Sequence, residues 1–157
     1  MTHLSEIEKI VCEFLDVMKN LISKTYGIKE YNMSICVENG KYNYKVAEGG
    51  LYSLEDCKGK LIATFHTHPP NADEVPSDAD IDVATFEKPH KYMCIGGLRG
   101  DAKYIKCWKV DEKLMEKAIE EATKYEPTTP EGDWTKYNEA YEKIHKPILK
   151  MEIRENF

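Results

Sequence analysis

Residues 65–80 read FHTHPPNADEVPSDAD, and the parsing of this stretch decides both the fold and the chemistry. The run KGKLIATFHTH that leads into it follows a Lys-Gly turn and is rich in β-compatible residues, which predicts a strand that Pro69 stops. Residues 69–76 then read as a loop. SDADIDVATFEK reads as a short helix capped by Ser77 and ended by Pro89. Residues two apart on a strand share a face, so His66 and His68 project together from the strand end while Thr67 points the other way. Two imidazoles so placed can fill two corners of a tetrahedral zinc site, each nitrogen about 2.0–2.1 Å from the metal. Asp80, on the first turn of the helix, can look back at the strand end as a third ligand and leave the fourth corner to water. A plainer reading needs no metal. Ser77 with Asp80 is also a capping box, with Asp in place of the usual Glu, and an isolated His-x-His is a weak signal. What favours zinc is the combination of His-x-His-Pro, a short loop and Pro-Ser-x-x-Asp, because cap and ligand are compatible roles for one segment.

Outward from this stretch, the pattern alternates between the two regular periods. Ile7, Ile10, Val11, Phe14, Leu15, Met18, Leu21 and Ile22 recur at three- and four-residue steps and predict an amphipathic helix. Ser5 with Glu8 forms a capping box at its start and Gly27 marks its end. Asn39-Gly40 joins two alternating runs, a strong hairpin signal, and Gly49-Gly50 closes the second strand. Downstream, KYMCIGG and AKYIKCWKV predict two strands around a Gly96-to-Asp101 turn. DEKLMEKAIEEATKYE is an amphipathic helix broken by Pro127 and Pro130, DWTKYNEAYEKIHK a further helix, and Pro147 leads into a tail. No repeat or interdomain linker interrupts the order, which predicts a single α/β or α+β domain over residues 1–157.

Composition narrows the function classes. A chain of 157 residues with 41% hydrophobic residues suits one packed core. Its net charge of -6, without a Lys/Arg cluster interleaved with aromatics, argues against nucleic acid as a partner. No apolar run approaches the roughly 20 residues of a membrane helix, and the apolar residues of the N-terminus are spaced rather than continuous, so a cytoplasmic protein is expected. Five cysteines, an odd number without CxxC spacing, suggest reduced thiols. Cys12, Cys36, Cys94 and Cys107 are expected in the core, and Cys57 lies in a polar turn. His3, His90 and His145 are expected on the surface, and Trp108 and Trp134 are expected to pack.

The stretch HTHPPNADEVPSDAD resembles the signature of the JAMM (MPN+, JAB) zinc metalloprotease family: His-x-His-Pro, a loop, then Pro-Ser-x-x-Asp. The likeness extends more loosely over about residues 5–110, whose order of elements agrees with that family, and leaves about 111–157 as a C-terminal helical extension. The implied fold is a JAMM/MPN-like, cytidine-deaminase-like mixed sheet flanked by helices. The implied zinc ligands are His66, His68 and Asp80, and Ser77 corresponds to the serine that stabilises the oxyanion. Eight residues separate His68 from Ser77 where the family usually has seven, but the extra residue falls in the loop and keeps the Ser-x-x-Asp register. The family's general base is an upstream glutamate near the start of the first strand. Glu30, heading EYNMSICV, matches it best, although Tyr31 and Asn32 are atypical. Glu38 is the competitor, while Glu48 and Glu55 read as solvated loop charges.

The resemblance implies one Zn²⁺ per chain and a zinc-activated water that hydrolyses an amide or isopeptide bond at the C-terminus of a ubiquitin-like modifier. Residues 47–60 and the link to KYMCIGG are short, as in a minimal prokaryotic or archaeal-type form, and the resemblance then implies a small modifier conjugate or sulfur-carrier precursor as the expected substrate. The competing class is a non-catalytic MPN-type scaffold that binds a protein partner without cutting it. Metal content, and cleavage of a ubiquitin-like fusion with and without chelator, separate the two.

Overall fold

The computed structural model describes residues 4–25, 29–144 and 147–156. The expectations for His3, Gly27 and His145 therefore lie outside the described residues. The elements run α1 (Glu6–Lys24), β1 (Tyr31–Glu38), β2 (Lys41–Glu48), β3 (Lys60–Thr67), α2 (Asp78–Asp82), β4 (Tyr92–Arg99), β5 (Ala102–Lys109), α3 (Glu112–Thr123), α4 (Thr135–Ile144) and β6 (Ile148–Asn156). Six strands form one mixed sheet in the order β2-β1-β3-β4-β5-β6. β1 is antiparallel to β2 and β3, β4 is antiparallel to β5, and β3 and β4 are parallel. The chain is thus mixed α/β. A parallel pair cannot be joined by a tight turn. Here the crossover is made by the loop after His68, α2 and a π-helical segment, Val83–Glu87. That crossover carries half of the candidate site.

Two compact units divide the chain: residues 1–109 with 149–157, and residues 110–148. In the first, α1 begins as its capping box directs, with Glu8 N–H donating to Ser5 Oγ and Ser5 N–H to Glu8 Oε1. Its apolar stripe, from Ile7 through Ile10, Met18 and Ile22, packs with Met33, Ile35, Ala63, Phe65, Cys94 and Ile105. Each such side chain contributes roughly 1.5–3 kcal/mol on burial, so this face of the sheet carries most of the cohesion. Alternation sends Asn32, Ser34, Thr64 and His66 to the opposite face, where they are buried as well. The β1–β2 turn has Asn39 at φ 51° and Gly40 at φ 76°, the two left-handed residues that an Asn-Gly hairpin turn requires. In the second unit α3 and α4 pack on each other. Asp133 Oδ1 caps α4 by accepting from the Thr135 N–H and hydroxyl, and Trp134 stacks edge-on against Tyr137.

Several expectations are corrected. The tail after Pro147 is a strand, Ile148–Asn156, so residues 111–157 are not helical throughout. Met151 and Ile153 alternate toward the main core, a signal diluted by the charges around them. The β4–β5 turn is tight, at Gly100-Asp101, and Gly96 and Gly97 lie within β4. Four cysteines pair as Cys36–Cys57 and Cys94–Cys107, the latter directly opposite one another on β4 and β5, rather than standing as reduced thiols. Cys12 is exposed on α1 instead of buried. Trp108 packs as expected, with Ile95 and Tyr104. Among the described residues no helix is long and apolar enough to cross a membrane.

Gly96 is fixed by proximity. A Cβ there would stand 2.6 Å from Phe65 Cζ and 2.8 Å from Ile22 Cδ1, both in the α1 core. Gly96→Ala is expected to lower unfolding free energy by about 1–3 kcal/mol through overpacking, read as a shift of the urea midpoint.

Candidate metal centre

β3 ends in a position that leaves His66 in the sheet and His68 one residue beyond it. His66 is 2% exposed, between β1 and β4. Its Nε2 lies 3.0 Å from His68 Nε2 and 3.0 Å from Asp80 Oδ2, and His68 Nε2 lies 3.6 Å from the same Oδ2. Three Lewis-basic atoms therefore meet at one point. For donors 2.0–2.1 Å from a tetrahedral ion the donor–donor edge is about 3.3 Å, midway in the observed range. The chemistry of the donors fits too. His68 Nδ1 is 2.7 Å from the Asp73 carbonyl, which can only accept, so Nδ1 holds the hydrogen and Nε2 offers a lone pair. This is the outer-sphere support that metal-bound imidazoles commonly have.

α2 delivers the carboxylate. Ser77 is its N-cap, accepting from the Asp80 N–H at 3.1 Å, and Asp80 Oδ2 accepts from the Ser77 N–H at 2.9 Å. The capping-box reading holds, and the oxygen that closes the box is the one that lies beside His66 and His68. Burial pushes the Asp80 pKa up, but hydrogen bonds from His66, His68 and the Ser77 amide outweigh it and hold the carboxyl far below its usual range. For His68 burial pulls down, yet the hydrogen bond and charge of Asp80, with Glu30 contributing, raise it overall.

The loop between His68 and Ser77 is tied to the sheet. Glu74 accepts from Arg99 Nε at 2.8 Å, pairs with Lys106 Nζ at 3.1 Å and accepts from Arg154 Nη2 on β6. Burial opposes ionisation there, but these three cations pull its pKa down to about 2. Arg99 Nη2 also donates to the Ala72 carbonyl, and Asn71, at φ 60°, accepts from the Gly100 N–H through Oδ1. Asp73, whose carbonyl orients His68, sits between Ala72 and Glu74 in this anchored segment.

An open cleft of about 650 Å³ lies over the cluster, walled by Glu30, Leu51, Tyr52, Val75 and Ser77. Glu30 thus shares a cavity with His66, His68 and Asp80, its Oε2 beside Gly50. Glu38 ends β1 at the hairpin, seven residues and roughly 20 Å along the strand from Tyr31, and does not wall the cleft. Sequence reasoning missed Asp73, Glu74 and Asn32. Asp73 acts through its backbone, and the other two become relevant only when distant strands are aligned.

Compared with protein-family models, curated proteins and solved structures, the chain finds no match in any of the three.

His90 corrects an expectation. It is buried at 3% exposure, not on the surface, with Nε2 2.8 Å from Thr64 Oγ1 and Nδ1 2.8 Å from the Lys88 carbonyl. Burial lowers its pKa from 6.5 to about 4. A depressed pKa means that the unfolded chain takes the proton first. Stability is therefore full above pH 6.5 and falls as pH drops through the window from 6.5 to 4, by at most about 3 kcal/mol. Urea titrations across that window should show this slope in the wild type and a flatter one in His90→Gln.

Proposed function

We propose that this chain is a zinc-dependent metallopeptidase of the JAMM type, hydrolysing an amide or isopeptide bond at the C-terminus of a ubiquitin-like modifier. The observation that carries the proposal is the convergence of His66 Nε2, His68 Nε2 and Asp80 Oδ2 at the floor of a cleft that Glu30 and Ser77 also line. Two imidazoles with one carboxylate are a donor set suited to zinc in a catalytic site with an open position. When bound, zinc supplies a Lewis acid that brings the pKa of a coordinated water from 15.7 toward 7.

The protein groups divide the remaining work. His66, His68 and Asp80 would hold the ion. Glu30, as a carboxylate in the same cleft, takes the proton released by the attacking water and passes it to the leaving amine. Ser77 Oγ is already an acceptor for the Asp80 N–H, which leaves its hydroxyl hydrogen to donate to the oxyanion formed from the substrate carbonyl. Leu51, Tyr52, Pro69, Val75 and Pro76 give the cleft apolar walls, and Tyr52 and Val75 are 64% and 56% exposed at its sides. An extended, uncharged peptide tail suits such walls better than a folded surface does.

Two measurements test the proposal. Purified protein supplied with zinc and then desalted should retain one ion per chain, and His66→Ala or Asp80→Ala should retain none; an empty wild type overturns the assignment. Glu30→Gln should keep its zinc yet cleave a ubiquitin-like fusion about 10²–10⁴-fold more slowly, with Glu38→Gln unchanged. Full activity in Glu30→Gln would remove the glutamate from the mechanism.

A further inference from the structure

We infer that Asn32 is a positioning residue for His66: its Oδ1 receives the Nδ1 hydrogen of that imidazole through one bridging water, and so keeps the Nε2 lone pair turned toward the metal position. The inference rests on the zinc reading above. Asn32 and His66 are direct partners in the β1–β3 register, so their side chains leave the same face of the sheet. Both are buried, at 0% and 2% exposure. The amide orientation of Asn32 is fixed by its surroundings. Its nitrogen lies 3.1 Å from the Gly49 carbonyl and 3.0 Å from the Gly50 carbonyl, and two acceptors admit only the NH₂ there, which turns Oδ1 away from both. That Oδ1 has no hydrogen-bond partner in the protein, and neither has His66 Nδ1.

The two orphaned atoms are complementary. One can only accept. The other must carry hydrogen whenever Nε2 is used as a lone pair. Directly opposed cross-strand residues have Cβ atoms about 4.5–5.5 Å apart, a separation that one water between the two side chains can span. Pairing them satisfies two buried polar groups at once. It also gives His66 what the Asp73 carbonyl gives His68, a fixed tautomer. The same Asn32 amide holds Gly49 and Gly50, and Gly50 lines the cleft beside Glu30, so one residue sets both a ligand and the flank of the cleft.

The test compares zinc affinity of the full chain with that of Asn32→Ala and Asn32→Asp, by competition with a chromophoric chelator at neutral pH. Asn32→Asp keeps an acceptor for His66 but cannot donate to Gly49 and Gly50. Asn32→Ala should bind zinc about 10–100-fold more weakly, and Asn32→Asp should stay within about threefold of wild type. Alanine binding as tightly as wild type, or aspartate as weakly as alanine, reduces Asn32 to a brace for the glycines and overturns the inference. Should either variant fail to fold, ¹⁵N–¹H spectra of the zinc-loaded wild type decide instead. A downfield, slowly exchanging His66 Nδ1 proton supports the pairing, and a rapidly exchanging one refutes it. A wild type that takes up no zinc overturns the metallopeptidase reading and this inference together, whereas zinc uptake indifferent to Asn32→Ala overturns this inference alone.

Discussion

Three electron-pair donors pressed together in a buried place are held there by the rest of the fold. His66 Nε2, His68 Nε2 and Asp80 Oδ2 lie 3.0–3.6 Å apart, a spacing at which one cation could be shared by all three. Each donor is fixed by a different device. The sheet fixes His66, a loop carbonyl fixes His68, and a helix cap fixes Asp80. The cohesion that holds these devices in place comes largely from the other side of the sheet, where α1 covers the apolar residues of β1, β3, β4 and β5. Because successive residues of β1 and β3 alternate faces, Phe65 and Met33 belong to the core while His66 and Asn32 belong to the site. A one-residue slip in either strand would exchange the two sets.

What the sequence made legible is what acts over short range. His66, His68, Ser77 and Asp80 fall within one short segment, and their placement follows from strand alternation and from a cap that reaches three residues. The same holds for the α1 capping box and the Asn39-Gly40 turn. Glu30 had no such local support. Its place in the cleft depends on β1 running antiparallel to β3, which brings the head of β1 to the tail of β3 and sends Glu38 to the far end. The cysteine pairs were hidden for a similar reason, since Cys94 and Cys107 meet only through the register of a hairpin. His90 follows a proline, which reads as a surface turn, yet Thr64 and the Lys88 carbonyl enclose it. β6 was masked by its own charges.

The loop from His68 to Ser77 shows how length can be absorbed without loss of geometry. It is one residue longer than the pattern it resembles, and its backbone is tied at Asn71 and Ala72 to the β4–β5 turn and to Arg99. Glu74 then draws in cations from three strands. These contacts hold the Asp73 carbonyl against His68 in a segment that has no regular secondary structure.

Arg154 joins Glu74 across 80 residues of sequence, and the whole of α3 and α4 is threaded between β5 and the strand that carries it. Closing so long a loop is entropically slow compared with forming the local hairpins and helices. The loop that presents the Asp73 carbonyl to His68 thus owes one of its three cationic partners to a strand separated from β5 by the whole of α3 and α4.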